Sequence, residues 1–167
     1  MAERPHDNSA ARAFCTFRAD ARLYGIDVSC LREISTNTAI TPVPRAPPGV
    51  RGLANLRSRI VLILDLRALT GLIPAECTPE SRLIILKATV APDVGLLADR
   101  GGDILTVPED RIVFADAPLA CTDRPVADEP LPLVRGVCKL ETELMMIIDA
   151  TRLVRIVARS LEDQAPA

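Results

Sequence analysis

Residues Val50 to Thr70 read V-R-G-L-A-N-L-R-S-R-I-V-L-I-L-D-L-R-A-L-T, and the fold follows from the fact that this stretch occurs twice. Shifted by 84 positions (136 − 52), Arg51, Gly52, Leu56, Ile63, Asp65 and Leu69 fall on Arg135, Gly136, Leu140, Ile147, Asp149 and Leu153. Six of the nineteen positions from Arg51 to Leu69 are identical, where ordinary residue usage gives about one. The replacements keep their character: Leu53, Ile60, Val61, Leu62 and Leu64 face Val137, Leu144, Met145, Met146 and Ile148. Each copy opens on a glycine where a strand begins and runs through an apolar segment, Ile60 to Leu64 or Leu144 to Ile148, long enough for a strand buried on both faces. An aspartate closes each run. Asp65 before L-R-A-L and Asp149 before A-T-R-L stand where an N-cap accepts the first free amides of a short helix. Leu56 to Arg59 predicts a tight hairpin, although the usual Asn-Gly or Asp-Gly pair is missing.

Outward from this stretch the duplication continues at a second offset. At 70 positions (95 − 25), Gly25, Ile26 and Ile34 lie over Gly95, Leu96 and Ile104. The second copy therefore carries 14 extra residues (84 − 70), which fall in Pro108 to Pro132, a tract rich in Pro, Asp and Ala expected to be a surface loop. Upstream, Phe14 to Arg18 and Leu23 to Ile34 are β-rich runs with Asp20 in the turn between them. Tyr24, Ile26 and Val28 alternate with Gly25, Asp27 and Ser29, the period of a half-buried strand. Ser35 to Thr38 turns the chain, Ile40 to Val43 is extended, and Pro42, Pro44, Pro47 and Pro48 prevent a helix before Gly49. Gly71 ends the first short helix, and Ile73 to Ser81 is a linker. Strands follow at Leu83 to Ala88 and Val94 to Ala98. From Thr151 the pattern is helical, with Leu153, Val154, Ile156, Val157 and Leu161 on or near one stripe. The expected architecture is mainly β: two similar small β-units, about 13–74 and 82–157, forming a single domain over 13–158 with strands open to exchange between the units. Residues 1–12 are expected to be a disordered tail and 159–167 a flexible one.

Composition narrows the function. Apolar residues make up 49% of 167 and aromatics 2%, with a net charge of −2 and a pI near 5.5. A single-strand nucleic-acid binder wants an aromatic platform and a basic groove, and the arginines here are spread along the chain among acids. Cys15, Cys30, Cys77, Cys121 and Cys138 form no C-x-x-C pair, so they are read mostly as small buried hydrophobes rather than metal ligands. The N-terminus lacks the apolar core of a signal peptide, and no apolar run approaches the roughly 20 residues that span a bilayer. The expectation is a soluble cytoplasmic protein.

No catalytic constellation emerges. The one histidine, His6, lies in the polar tail. Asp65 and Asp149 could pair for acid/base work, but helix capping explains both. Ser29 and Cys30 are adjacent, so on a strand they point to opposite faces, with no base in reach. Gly101 and Gly102 lack the following helix and Lys of a phosphate loop. Neither a cofactor nor a metal is expected, and the chain reads as a binding module.

Y-G-I-D-V at Tyr24 to Val28, R-E-I at Arg32 to Ile34, P-V-P-R-A-P at Pro42 to Pro47, R-G-L-A-N-L-R at Arg51 to Arg57 and I-L-D-L-R at Ile63 to Arg67 resemble the CheW-like chemotaxis coupling proteins. G-L-L-A-D at Gly95 to Asp99, D-I-L at Asp103 to Leu105 and L-V-R-G-V at Leu133 to Val137 are looser matches in the second half. The resemblance covers about Phe14 to Val157. It implies two pseudo-symmetric small SH3-like β-barrels with short helices and a C-terminal helix. It also implies a non-catalytic adaptor that bridges chemoreceptor cytoplasmic tips and the regulatory domain of a CheA-type histidine kinase, recruited to receptor arrays at the inner membrane.

By position, the resemblance puts Arg57 beside the receptor-binding groove, with Leu53, Asn55 and Val137 close to the groove between barrels. It puts Leu31 and Glu33 on a strand edge near the kinase-facing side of the first barrel. Without it, Arg57 is a solvated arginine at a hairpin, Glu33 an exposed strand charge and Leu31 a core residue. Three departures bear on partner specificity: Ser58 where the family has Gly, Leu62 where it often has Pro, and Gly101 with Gly102 where an apolar residue usually packs. An adaptor in a divergent chemosensory pathway controlling pili or gene expression fits the same residues. A small-barrel protein binding a ligand or nucleic acid is the competing class.

Overall fold

The computed structural model describes residues 10–119 and 133–162, and these are mainly strand. In chain order they form β1 (Ala11–Ala19), β2 (Arg22–Asp27), β3 (Leu31–Ser35), β4 (Ile40–Thr41), β5 (Val50–Leu56), β6 (Arg59–Asp65), α1 (Leu66–Leu69) and β7 (Arg82–Leu86). The rest are β8 (Val94–Ala98), β9 (Arg100–Pro108), β10 (Ile112–Leu119), β11 (Val134–Lys139), β12 (Leu144–Ile148) and α2 (Ala150–Glu162). None of the described helices is long and apolar enough to cross a membrane.

The strands make two six-stranded sheets, ordered β10-β11-β12-β2-β1-β9 and β3-β7-β8-β6-β5-β4. The two orders are the same order. Replacing each strand by the one six places away along the chain converts one sheet into the other, so the duplication in sequence is a duplication in space. The first two strands of each half lie in the sheet built by the other half. The junctions are parallel ladders, β2 on β12 with Gly25 opposite Ile147, and β8 on β6 with Gly95 opposite Ile63. Each glycine of the 70-residue offset thus faces an isoleucine of the 84-residue offset across the junction.

Alternation along the strands divides the apolar residues into three clusters. One sheet curls around Phe14, Leu23, Val107, Ile112, Cys138, Met145 and Ile147. The other curls around Ala54, Leu56, Val61, Ile63, Leu83, Ile85 and Leu97. The opposite faces of both sheets meet in a seam that contains Phe17, Tyr24, Ile26, Leu64, Leu86 and Leu96, with Leu66 of α1 and Leu153 of α2. Two small barrels joined by an apolar seam is therefore the architecture.

Both aspartates cap as expected. Asp65 accepts the amides of Arg67 and Ala68 at 2.9 and 3.4 Å, and Asp149 accepts the amide and hydroxyl of Thr151 at 3.0 and 2.6 Å. Their own amides donate to equivalent carbonyls (49 + 84 = 133), Asp65 to Gly49 at 2.8 Å and Asp149 to Leu133 at 2.9 Å.

Several expectations are corrected. Leu23 to Ile34 is two strands, because Asp27 takes the Ser29 amide at 2.9 Å and turns Val28–Cys30 into a 3-10 helix. Leu23 to Ile26 is buried on both faces rather than half-buried, since Leu23 points into a barrel and Tyr24 and Ile26 into the seam. The tract from Pro108 is not a loop at its start. Ile112, Val113 and Phe114 have strand-forming side chains and pair with Cys138, Val137 and Gly136. Of the cysteines, Cys15 and Cys138 are buried, and burial pushes both thiols up, with Arg111 opposing the shift at Cys138. Cys30 is half-buried and Cys77 exposed. His6, Cys121, the rest of the expected loop at 120–132, tail residues 1–9 and the last five residues lie outside the described residues. α2 runs from Ala150 to Glu162.

Candidate functional site

β5 alternates cleanly. Ala54 and Leu56 point into the barrel while Leu53 and Asn55 point outward. β5 and β6 are joined by the two-residue turn Arg57-Ser58, closed by Leu56 opposite Arg59. Both turn residues have positive φ, 50° and 66°, the geometry that lets a two-residue turn follow the right-handed twist of its strands. Adopting it puts Arg57 at the tip of the hairpin, where its Nη2 lies 3.3 Å from Oε2 of Glu33 on the edge strand β3.

Between hairpin and edge strand is an open pocket of about 350 Å³, lined by Glu33, Ile34, Ser35, Asn37, Asn55 and Arg57 among others. Its wall after β3 is ordered by local bonds. The Ser35 hydroxyl accepts the Asn37 amide, and the Asn37 side chain accepts the Ala39 amide, each at 3.1 Å. Arg57 is 83% exposed and Glu33 25%, so the pair sits at a wet rim and contributes little to stability. Its consequence is positional, since it presents one cation and one anion at a fixed spacing beside exposed Ile34. Such a surface suits recognition of a protein partner: charges to set orientation, an amide to bond, an aliphatic side chain to bury.

The six residues singled out in the sequence separate into three places. Arg57, Asn55 and Glu33 come together in this pocket, so residues assigned to two faces share one. Leu53 is exposed on the same face of β5, opposite Leu62, which packs on the seam. Val137 is its repeat-mate (53 + 84) in the other sheet, opposite Met146, which also packs on the seam. Leu31 pairs with Leu86 and packs against the seam cluster, which makes it a core-edge residue. Ile34, Ser35 and Asn37 were missed as site residues. The S-T-N-T run signalled only a turn, and nothing local places that turn beside the β5–β6 hairpin.

A family model described as a CheW-like domain matches residues 13–158. The chain is 32% identical over 145 residues to the chemotaxis protein CheW of Rhizobium meliloti (strain 1021), covering 86% of this chain and 88% of that one. It is 31% identical over 134 residues to the chemotaxis protein CheW of Bacillus subtilis (strain 168), covering 80% and 81%. In fold it is similar to the crystal structure of the scaffolding protein TtCheW from Thermoanaerobacter tengcongensis. That match has a TM-score of 0.69 and 24% identity, and covers 84% of this chain and 90% of that one.

Proposed function

The chain belongs to the CheW-like family of chemotaxis adaptors, and we propose that it couples chemoreceptor cytoplasmic tips to the regulatory domain of a CheA-type histidine kinase by binding alone, without catalysis. The observation that carries this reading is the pocket in which Arg57, Asn55 and Glu33 meet. Arg57 and Glu33 orient a partner through opposite charges, and the outward Leu53 and Ile34 provide apolar contact area beside them. Val137 extends the receptor-facing surface onto the second barrel, and Leu31 supports the kinase-facing edge from beneath. Receptor binding recruits the protein to arrays at the membrane, where many copies acting together compensate for modest individual affinities.

The test is calorimetric titration of the full chain against the kinase regulatory domain and, separately, a receptor-tip fragment. Glu33→Arg and Arg57→Glu are expected to weaken binding to at least one partner by about tenfold each, as loss of a hot-spot charge does. The double exchange is expected to recover part of it. Leu31→Arg is a poor probe because Leu31 packs on the seam. If wild type bound neither partner, or both single variants bound like wild type, the coupling reading through this pocket would be abandoned.

A further inference from the structure

The two copies of the repeat treat one arginine differently. In the first copy Arg51 is enclosed: its Nη1 lies 3.3 Å from Oδ2 of buried Asp65, and its Nη2 donates to the carbonyl oxygen of Ala75 at 2.9 Å. Ala75 belongs to the segment that follows α1. That helix is four residues long, and Gly71, at φ 76°, takes the left-handed conformation that ends it. The chain then passes Arg51 before entering β7 at Arg82.

In the second copy neither contact occurs among the described residues. The counterpart of Gly71 is Arg155 (71 + 84), so nothing stops the helix; α2 continues for 13 residues, and no described segment returns past Arg135 (51 + 84). Asp149, the counterpart of Asp65, is engaged by Thr151 and by Arg152 at 3.2 Å. Among the described residues Arg135 has no ion pair. Its guanidinium instead lies 4.6 Å from the centre of the Phe114 ring, with the guanidinium of Arg12 at 5.8 Å from the same ring. Phe114 is 41% exposed. Arg12 is already matched by Asp27 at 2.6 Å, so among the described residues the charge beside Phe114 without an ion pair is that of Arg135. Beside these groups is a space of about 230 Å³ bounded also by Phe14, Cys30, Ile148 and Thr151, and by Asp27 and Asp149, whose charges are met by Arg12 and Arg152.

We propose that this pocket takes an extended, carboxylate-bearing segment of a partner protein, which gives Arg135 the carbonyl and carboxylate oxygens that Ala75 and Asp65 give Arg51. The first half of the chain is its own template for the contact. A guanidinium stacked on a ring keeps its in-plane N–H groups free to donate, and the exposed face of Phe114 accepts an aliphatic side chain of the same segment. The inference does not rest on the pocket that carries the coupling reading, because Arg135 and Phe114 belong to the other sheet from Glu33 and Arg57, although Val137 shares β11 with Arg135.

The probe is a synthetic peptide of residues 71–81 of this chain, acetylated and amidated, with Cys77→Ser, which carries Glu76 and Glu80. It is titrated into the isotope-labelled full chain, and amide shifts are followed by NMR. Saturable shifts at Phe114, Gly136 and Thr151 are expected, with the dissociation constant rising about tenfold in Arg135→Ala and unchanged in Arg59→Ala. A peptide with both glutamates changed to glutamine is expected to bind several-fold more weakly. Phe114→Leu, which keeps an apolar side chain on β10, is a second variant expected to weaken binding without the charge change. Absence of saturable shifts at millimolar peptide overturns the proposal, as do shifts that survive Arg135→Ala or centre on Arg51. Equal binding of the neutral peptide removes the carboxylate from it.

Discussion

Ser58 occupies the left-handed region at φ 66° next to Arg57 at 50°, and a left-handed L-residue costs on the order of 1–2 kcal/mol. Arg57 gains a contact with Glu33 at 3.3 Å, whereas among the described residues no hydrogen bond of the Ser58 side chain offsets the strain. Ser58→Gly is therefore expected to stabilise the fold by about 0.5–1 kcal/mol, read as a higher urea midpoint at unchanged slope. Leu62, the second departure from the family pattern, uses the amide that proline would lack, donating to the Asp93 carbonyl at 2.8 Å. Asp27 is a residue whose effect depends on pH. Burial pushes its carboxyl up, but hydrogen bonds from Ser29 and the Arg12 guanidinium outweigh that, so it lies below the usual carboxylate range. A depressed folded-state value means stability that is present above the ordinary carboxylate value of about 3.9 and lost as pH falls further, through the folded value. Asp27→Asn should thus cost about 1 kcal/mol at pH 7, and the deficit should shrink as pH falls below the ordinary carboxylate value and through the depressed folded one, as paired unfolding curves would show.

At the scale of elements, the repeated glycines Gly52 and Gly136 mark equivalent bulges. The β5–β6 register shifts between Val50 and Gly52, and the β11–β12 register between Val134 and Gly136. In each case the neighbouring strand brings a carbonyl oxygen to where a Cβ would stand, that of Thr41 against Gly52 and that of Val113, at 2.6 Å, against Gly136. Backbone cannot swing aside as a side-chain end can. Gly52→Ala and Gly136→Ala should each destabilise by roughly 1–3 kcal/mol, the cost of overpacking, seen as lower melting temperatures; wild-type stability in either would refute the close approach. Gly102, the third departure, is covered by Thr16, whose hydroxyl donates to the Asp103 carbonyl at 2.8 Å and accepts its amide at 3.0 Å. The strand at Val94–Ala98, buried along its length, was legible through the repeat, and the Leu56–Arg59 hairpin because chain reversal is local. The break at Val28–Cys30 was not, because one Asp27 side-chain bond prevailed over a continuous β pattern.

Across the whole molecule, Arg67 joins parts that the chain keeps far apart. Its Nε lies 2.9 and 2.8 Å from the two carboxylate oxygens of Asp99, its Nη2 3.6 Å from Asp20, and its Nη1 donates to the Ile73 carbonyl at 3.1 Å. It thereby ties α1 to the β1–β2 turn, the β8–β9 junction and the linker. Partly buried and multiply bonded, it is expected to cost about 1–2 kcal/mol as Arg67→Ala. Arg59→Ala, which breaks an exposed pair with Asp93, should stay within about 0.5 kcal/mol. Equal effects in chemical denaturation would show that Arg67 is only another surface charge.

What the sequence determined by itself was carried by backbone pattern or by the repeat: the mainly β class, the capping aspartates, the helix stop at Gly71, the two equivalent halves and the family resemblance. These depend on backbone geometry and bonds within a few residues, which the duplication states twice. Only the tertiary structure decided that β1–β2 and β7–β8 lie each in the other half's sheet, because the pairing of Gly25 with Ile147 and Gly95 with Ile63 joins residues far apart in the chain. For the same reason it alone brought Glu33 to Arg57, placed Leu31 on the seam, and left Arg135 open where Arg51 is closed. The last difference turns on how far one helix runs, and its effect falls on an arginine fifteen or more residues upstream.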